Sequence, residues 1–294
     1  MIYTLTLSPA IDYYVTLPNL EKGKINKAFN TDIKIGGKGI NVSLALNKLN
    51  TPSTALGFIG GFTGEYIECE LNKLNIKTNF IKTKNLTRIN MKINDKNAET
   101  AINSIDKDAT KSDINKLKTI LNELSCNDYL VISGAVFDNL LDDLLSSISK
   151  DVKIILDIDK NELLNLLKYK PFLVKPNIEE LGRLFNTEIN SISDAKKYAL
   201  ELCNMGATNV LVSLGEDGAI LASETECLEK KAIKLDMPVV STVCAGDAMV
   251  ASFIYKYLES NSVSDAFNFS VVYSSLKVFS SDFPSLDDVN KYLK

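Results

Sequence analysis

The run VCAGDAMVASF at 243–253 places small residues and one carboxylate where a β-type run, 237–243, gives way to an apolar helix. Small side chains at such a turn let backbone N–H groups point outward together, and the helix dipole adds to their pull on an anion. Asp247 stands in that turn, where its carboxylate could take a proton from an incoming hydroxyl. An anion hole beside a base is what phosphoryl transfer to an alcohol needs, because positioning and charge stabilisation dominate that chemistry. Asp is also a favoured helix cap, so this run alone fits a structural role as well.

Four further constellations carry similar double readings. In IGGKGINV (35–42), Gly36, Gly37 and Gly39 surround Lys38 ahead of a helix beginning near Ile40. Glycines let backbone approach a ligand closely, and Lys38 offers a point charge to a phosphate. Asn41, one turn in, would face the same ligand; the alternative is a plain glycine turn with a solvated lysine. The spacing is not that of a Walker A loop. In SPAID (8–12), Asp12 follows the first strand and could accept bonds from two hydroxyls of a polyol, or sit in a surface turn. In KPNIEEL (175–181), Asn177 and Glu180 are three apart and could face one cation or its water shell, with Lys175 on a nucleotide phosphate. The same spacing makes a capping box. SLGEDGA (213–219) reads as the floor of a nucleotide site or as a hairpin. Arg88, one of two arginines with Arg183, could clamp a substrate phosphate or make a surface ion pair. Glu99 and Asn103, in ETAIN, are weaker candidates.

The chain contains no histidine. That excludes Ser-His-Asp and Cys-His catalysis and every His-metal site. Any metal must be a hard cation held by oxygen, of which Mg²⁺ is the expected one. The five cysteines are scattered without C-x-x-C spacing, which argues against a disulfide framework or zinc cluster. A net charge of −4 carries no footprint for nucleic acid. No apolar run reaches the roughly 18 residues of a membrane span, and the N-terminus lacks a signal-peptide pattern, so a cytoplasmic location is expected.

The elements that must position these residues alternate. Strand-like runs at 2–7, 53–59, 77–81, 129–133, 153–157, 172–174, 209–213 and 218–222 are separated by helical patterns at 40–49, 64–74, 112–124, 140–148, 161–167, 178–185 and 193–205. This predicts right-handed βαβ units in a doubly wound, mostly parallel α/β sheet flanked by helices. Two half-polar β segments, 13–35 and 87–103, do not belong in such a core. They predict a small separate sheet inserted in a single domain spanning 1–294, acting as a lid or as a dimer contact.

Together and in this order, TLSPAIDYYV, IGGKGINVS, ALGFIGGFTGEYI, TRINMKI, ETAIN, LVISG, KPFLVKPNIEELGRLF, NVLVSLGEDGAIL and CAGDAMVASF resemble the PfkB (ribokinase-like) carbohydrate kinase family across essentially the whole chain. The resemblance implies ATP as donor, Mg²⁺ as cofactor, and phosphorylation of fructose 1-phosphate at its 6-hydroxyl. Tagatose 6-phosphate is the alternative acceptor, and a weakened binding protein the alternative class. It implies Asp247 as base, with the N–H groups of Cys244, Ala245, Gly246 and Asp247 as anion hole. Asp12, Gly36, Gly37, Lys38, Asn41, Arg88, Glu99, Asn103 and Ser133 would serve the sugar phosphate. Lys175, Asn177, Ser213, Gly215, Glu216, Gly218 and Gly246 would serve the nucleotide, and Asn177 and Glu180 the metal. A homodimer through the lid is implied too. The chain departs from the family where G-A-G-D becomes Cys244-Ala245-Gly246-Asp247. A Cβ there is expected to crowd the hole or forbid a positive φ, giving a slower enzyme. Other departures are Asp157-Ile158-Asp159-Lys160, Ala135-Val136-Phe137-Asp138, a missing G-P pair after Asn103, and larger side chains at 271–276.

Overall fold

The computed structural model describes residues 1–96, 98–105, 109–135, 140–158 and 162–293. The departures at 136–138 and 159–160, and the expected helix start at 161, lie outside them. In chain order the elements are β1 (Ile2–Thr6), β2 (Ala10–Thr16), β3 (Asn30–Gly36), α1 (Lys38–Lys48), β4 (Thr54–Ile59), α2 (Gly61–Lys73), β5 (Lys77–Lys82), β6 (Arg88–Asn94) and β7 (Glu99–Ile102). They continue with α3 (Lys111–Leu121), β8 (Tyr129–Ser133), α4 (Leu140–Leu145), β9 (Lys153–Asp157), α5 (Glu162–Leu166), β10 (Leu173–Val174), α6 (Ile178–Leu184) and α7 (Ile192–Asn204). Last come β11 (Asn209–Ser213), β12 (Ala219–Ser223), β13 (Cys227–Lys230), α8 (Ala245–Ser260), α9 (Val263–Val278) and α10 (Leu286–Asn290).

The uniformly apolar strands need cover on both faces, and they find it in one sheet ordered β13-β12-β11-β10-β9-β8-β1-β4-β5. Neighbours from β5 to β11 run parallel; β12 and β13 are antiparallel additions at one edge. Leu117, Leu141, Leu163 and Leu202 pack α3, α4, α5 and α7 on one face. Val42, Leu46, Phe253 and Phe267 pack α1, α8 and α9 on the other. Each such side chain, fully buried, contributes about 2 kcal/mol. The chain winds outward from β1 through β4 to β5, then returns to β8 and winds the other way. The switch point therefore lies between β1 and β8, and the crevice outside the carboxyl ends of these strands is where a ligand is expected to bind.

The second sheet is ordered β3-β2-β6-β7. It springs from the carboxyl end of β1, because β2 begins four residues after β1 stops. Its inner rungs pair Ala10 with Gly36 and Arg88, then Asp12 with Lys34 and Asn90. Its strands occupy 10–16, 30–36, 88–94 and 99–102, so it begins earlier than the expected 13, and the stretch 17–29 between β2 and β3 is not strand.

Two expectations are corrected. The β-type run 237–243 is not a strand: Met237, Val239, Val240 and Val243 are half exposed or more, and Val240 and Ser241 N–H both donate to Val278 O at the end of α9. Met237 and Val239 line a cavity instead of a sheet. Helix α1 starts at Lys38, two residues before the expected Ile40. Among the described residues no helix is long and apolar enough to cross a membrane.

Candidate active site

The carboxyl ends of β9, β10 and β11, Lys38 at the start of α1 and the first turn of α8 enclose a cavity of about 970 Å³. Its centre is Asp247, buried in the first turn of α8. Asn41, from α1, donates Nδ2–H to Asp247 Oδ2 at 2.8 Å. Lys175 Nζ lies 3.0 Å from Asp157 Oδ1, and Lys38 Nζ lies 3.7 Å from the same oxygen. Lys175 and Asp157 are both almost fully buried. A chain Asn41–Asp247 thus stands beside a chain Lys38–Asp157–Lys175, drawn from four separate elements or their ends.

The electrostatics follow from burial. Loss of water favours the neutral acid of Asp247, and the negative charge of Asp157 adds to this; the Asn41 bond, Lys38 and Lys175 oppose it. The result is a carboxyl pushed up to about 7. A base that titrates near neutral pH can both take and return a proton.

Cys244 sits at φ 65° and ψ 4°, the left-handed region, immediately before α8. The expected loss of positive φ does not occur: the cysteine adopts the backbone that glycine would adopt more cheaply. Ala245 N–H reaches Thr242 O at 3.3 Å and Ala248 N–H reaches Cys244 O at 2.9 Å. Between them, the N–H groups of Gly246 and Asp247 belong to the first turn, where helices leave donors without intrahelical partners. A Cβ on Gly246 would stand 3.2 Å from Lys175 Nζ, so glycine keeps this approach open. Burial, then the charge of Asp247, pushes the Cys244 thiol up to about 12, which leaves it unreactive.

Several buried polar atoms have no hydrogen-bond partner, and they gather here. Thr6 Oγ1, Ser133 Oγ and both Asp157 oxygens end the adjacent strands β1, β8 and β9. The Lys175 contact to Asp157 is an ion pair off the line of a good hydrogen bond. Unsatisfied buried groups are costly, and their concentration at one strand end fits a polar ligand that completes them.

The remaining candidates fall into three groups. At the base of the small sheet, Asp12 Oδ1 accepts from Asn90 Nδ2 at 2.9 Å, and a Cβ on Gly36 would clash with Asp12 Oδ2. Gly37 caps α1 at φ 119°, a conformation barred to most residues. Arg88 donates from Nη2 to Ser8 O at 3.2 Å and from Nη1 to Ser104 O at 3.5 Å, tying the β1–β2 turn to the segment after β7. Asn103 accepts from Lys92 Nζ at 3.3 Å near this base. Glu99 is not brought in: its rung pairs Asn94 with Thr16, about 13 Å of strand beyond the Asp12 rung, and it is exposed.

At the end of β11, Ser213, Gly215, Glu216 and Gly218 line the same cavity, Gly215 at φ 64° and Gly218 at φ 106°. Asn177 and Glu180 form the capping box in full: each side chain accepts the other residue's N–H at 2.8 Å. Among the described residues no group of three acidic or thiol side chains could cage a metal. The two unsatisfied Asp157 oxygens and the Glu180 carboxylate, both residues lining the cavity, fit a hard cation that keeps most of its water and is shared with a ligand's phosphates.

Sequence reasoning passed over Asp157 and Asn90 as site residues. Asp157 stands at the carboxyl end of a buried strand next to β8, the kind of position that singled out Asp12. Asn90 alternates with exposed Ile89 and Met91 on β6, which turns it toward Asp12.

A doubly wound sheet, a cavity at its switch point and a small sheet beside that cavity define the class: an α/β kinase of small molecules. Residues 5–283 match the family model described as pfkB family carbohydrate kinase. A 1-phosphofructokinase of Borreliella burgdorferi is 39% identical over 297 residues, covering 100% of this chain and 96% of that enzyme. A D-tagatose-1-phosphate kinase of Bacillus licheniformis is 36% identical, covering 99% and 96%. Phosphofructokinase-2 from Escherichia coli, solved in complex with substrates and products, superposes with a TM-score of 0.89 at 30% identity, covering 99% of this chain and 97% of that one. The same enzyme has been solved in a tetrameric inhibited form. The chain belongs to the pfkB family of carbohydrate kinases.

Proposed function

We propose that this protein transfers the γ-phosphoryl group of ATP to the 6-hydroxyl of fructose 1-phosphate, giving fructose 1,6-bisphosphate and ADP. The observation that carries the reading is Asp247: a buried carboxyl poised near neutrality, in the first turn of a long helix, between two lysines. Asp247 accepts the hydroxyl proton as O6 forms its bond to the γ-phosphorus and the bond to the β,γ-bridging oxygen breaks. Asn41 holds the carboxylate through Oδ2 and leaves Oδ1 for that proton. The first-turn N–H groups of Gly246 and Asp247 face the charge that develops on the transferring group, while Ala245 N–H is engaged by Thr242 O.

Lys175 serves the donor's phosphates, and Ser213, Gly215, Glu216 and Gly218 the rest of the nucleotide. Lys38 and Arg88 serve the acceptor's phosphate, and Asp12, Gly36, Gly37 and Asn103 its hydroxyl face. Ser133 Oγ is an unsatisfied donor at the end of β8, suited to a sugar oxygen. Mg²⁺, held through water by Glu180, Asn177 and Asp157, would neutralise charge on the donor's phosphates. The small sheet acts as the lid. Ile33, Met91 and Ile102 share one rung of its outer face and are exposed, which supports a homodimer through it. Met91→Asp should then yield a monomer by analytical ultracentrifugation, and an unchanged mass would exclude that face.

A second acceptor reading is favoured by two relatives: the tagatose compound named is the 1-phosphate, not the 6-phosphate weighed from sequence. The test is ADP release with ATP and Mg²⁺ on fructose 1-phosphate, fructose 6-phosphate, tagatose 1-phosphate and tagatose 6-phosphate. Turnover greatest on fructose 1-phosphate and lost in Asp247→Ala is expected. A larger kcat/KM on a tagatose phosphate would reassign the acceptor. Tight binding with no turnover on any of them would make the protein a binding relative.

A further inference from the structure

Lys277 is a buried cation that none of the roles above uses. It lies in the last turn of α9 and is 4% exposed. Its Nζ donates to Ser280 O at 2.9 Å and stands 5.9 Å from the centre of the Phe283 ring. Among the described residues no carboxylate oxygen lies within 4 Å of it, and the nearby Asp282 is paired with Lys48 at 2.7 Å. A buried ammonium without a close counter-ion is expensive, and a lysine in a last helical turn can normally extend its head to water.

Its neighbours explain the placement. The next residue, Val278, accepts the N–H groups of Val240 and Ser241, which fixes the start of the 240–244 loop against the end of α9. That loop delivers Cys244 and the first turn of α8. Lys277 and Cys244 are near enough for each to shift the other's protonation; Asp282, and Lys34 from the Asp12 rung, are the other charges that act on it. Lys277 does not itself line the cavity, whereas Ser274, Ser275, Val278 and Phe279 do. The ammonium thus stands behind the wall of the anion hole.

We propose that Lys277 is a positioning residue for phosphoryl transfer: a cation one residue before the Val278 carbonyl that holds the 240–244 loop, tethered to Ser280 O and adding fixed positive potential to the N-terminus of α8 without touching either substrate. The proposal rests on the reading of that helix start as the hole for a phosphoryl group. A cation capping α9 for stability alone would make the same bond to Ser280 O, so the test must separate charge from packing.

Lys277→Met keeps the length of the stem and removes the charge. The expected result is a fall in kcat of about tenfold, with the KM for fructose 1-phosphate within about twofold. Ammonium chloride should restore part of that kcat in the variant and leave the wild type unchanged, while tetramethylammonium chloride at the same ionic strength restores nothing. Lys277→Arg should retain most of the rate. A variant with wild-type kcat, or a fall that neither ammonium nor arginine repairs, overturns the proposal. So does failure of both Lys277→Met and Lys277→Gln to fold, which would assign the residue to stability alone. If the wild type shows no transfer to any sugar phosphate, the functional reading fails, and calorimetry then decides this one separately. The ratio of ATP to adenosine affinity should drop about fivefold in Lys277→Met, and an unchanged ratio overturns it.

Discussion

Replacing Cys244 by glycine and, separately, by alanine isolates the backbone strain at the anion hole. An L-residue in the left-handed region costs about 1–2 kcal/mol, which cysteine and alanine both carry at φ 65° and glycine does not. Glycine in turn loses about 0.5–1 kcal/mol more chain entropy on folding than alanine. The thiol's packing is lost equally in both variants and cancels. Cys244→Gly should therefore be more stable than Cys244→Ala by about 0.5–1 kcal/mol, the reverse of their order inside a helix. In a chain of this size that is a difference in Tm of about 1–3 °C, measurable by calorimetry of the two variants side by side. Because cysteine already holds the geometry glycine would give, kcat of Cys244→Gly should stay within about threefold of wild type. An alanine variant as stable as the glycine one would refute the left-handed assignment. A tenfold rise in kcat with glycine would show instead that the Cβ crowds the hole, as the sequence comparison with G-A-G-D anticipates.

Asp247→Asn should cut kcat by about 10³ or more. It should also change the pH dependence of stability: a carboxyl raised to about 7 stabilises the fold while protonated and loses that contribution as pH rises through 7. Urea midpoints of the asparagine variant should exceed wild type at pH 8.5 and converge with it on acidification; parallel curves would sink the argument. Asp157→Asn removes a negative charge that raises Asp247 and frees Lys175 to lower it. The acid limb of the pH–kcat/KM profile should then move to lower pH, and a shift upward would contradict the assigned geometry. Arg88→Ala should raise KM for fructose 1-phosphate about tenfold or more and leave KM for ATP nearly unchanged. A selective loss of ATP affinity would place Arg88 on the wrong substrate.

The architecture was legible because buried parallel strands leave an unmistakable trace: runs such as LVIS at 130–133 and VLVS at 210–213 have no polar alternation. The small sheet announced itself by the opposite pattern in RINMKIN. What misled was local propensity without a partner. The run 237–243 is rich in β-branched residues, yet the N–H groups of Val240 and Ser241 go to the end of α9, and Met237, Val239 and Thr242 to the cavity wall. In the site, the Asp12, Lys38, Asn41, Lys175 and Asp247 positions could be read from their place after strands or at helix starts. Glu99 could not be excluded from sequence, since only the strand register puts it four rungs away from Asp12. Asp157 and Lys277 were invisible as functional groups for a related reason. Their significance lies in which charges surround them after folding, and the partners come from β10, the 240–244 loop and the segment after α9.

Those partners explain how so much charge survives in one buried place. With all four groups charged, Asp157 and Asp247 against Lys38 and Lys175 sum to zero, and each carboxylate has at least one ammonium or amide within reach. The balance is incomplete by design of the geometry: both lysines make their ion pair with Asp157, and Asp247 receives the Asn41 amide instead. The amide-held carboxyl, Asp247, is therefore the one left near its titration point. Exchanging those partners would exchange the roles. The protein separates two chemically identical groups, one ion-paired and one held by an amide, by assigning both cations to Asp157, and it does so with residues scattered from Lys38 to Asp247.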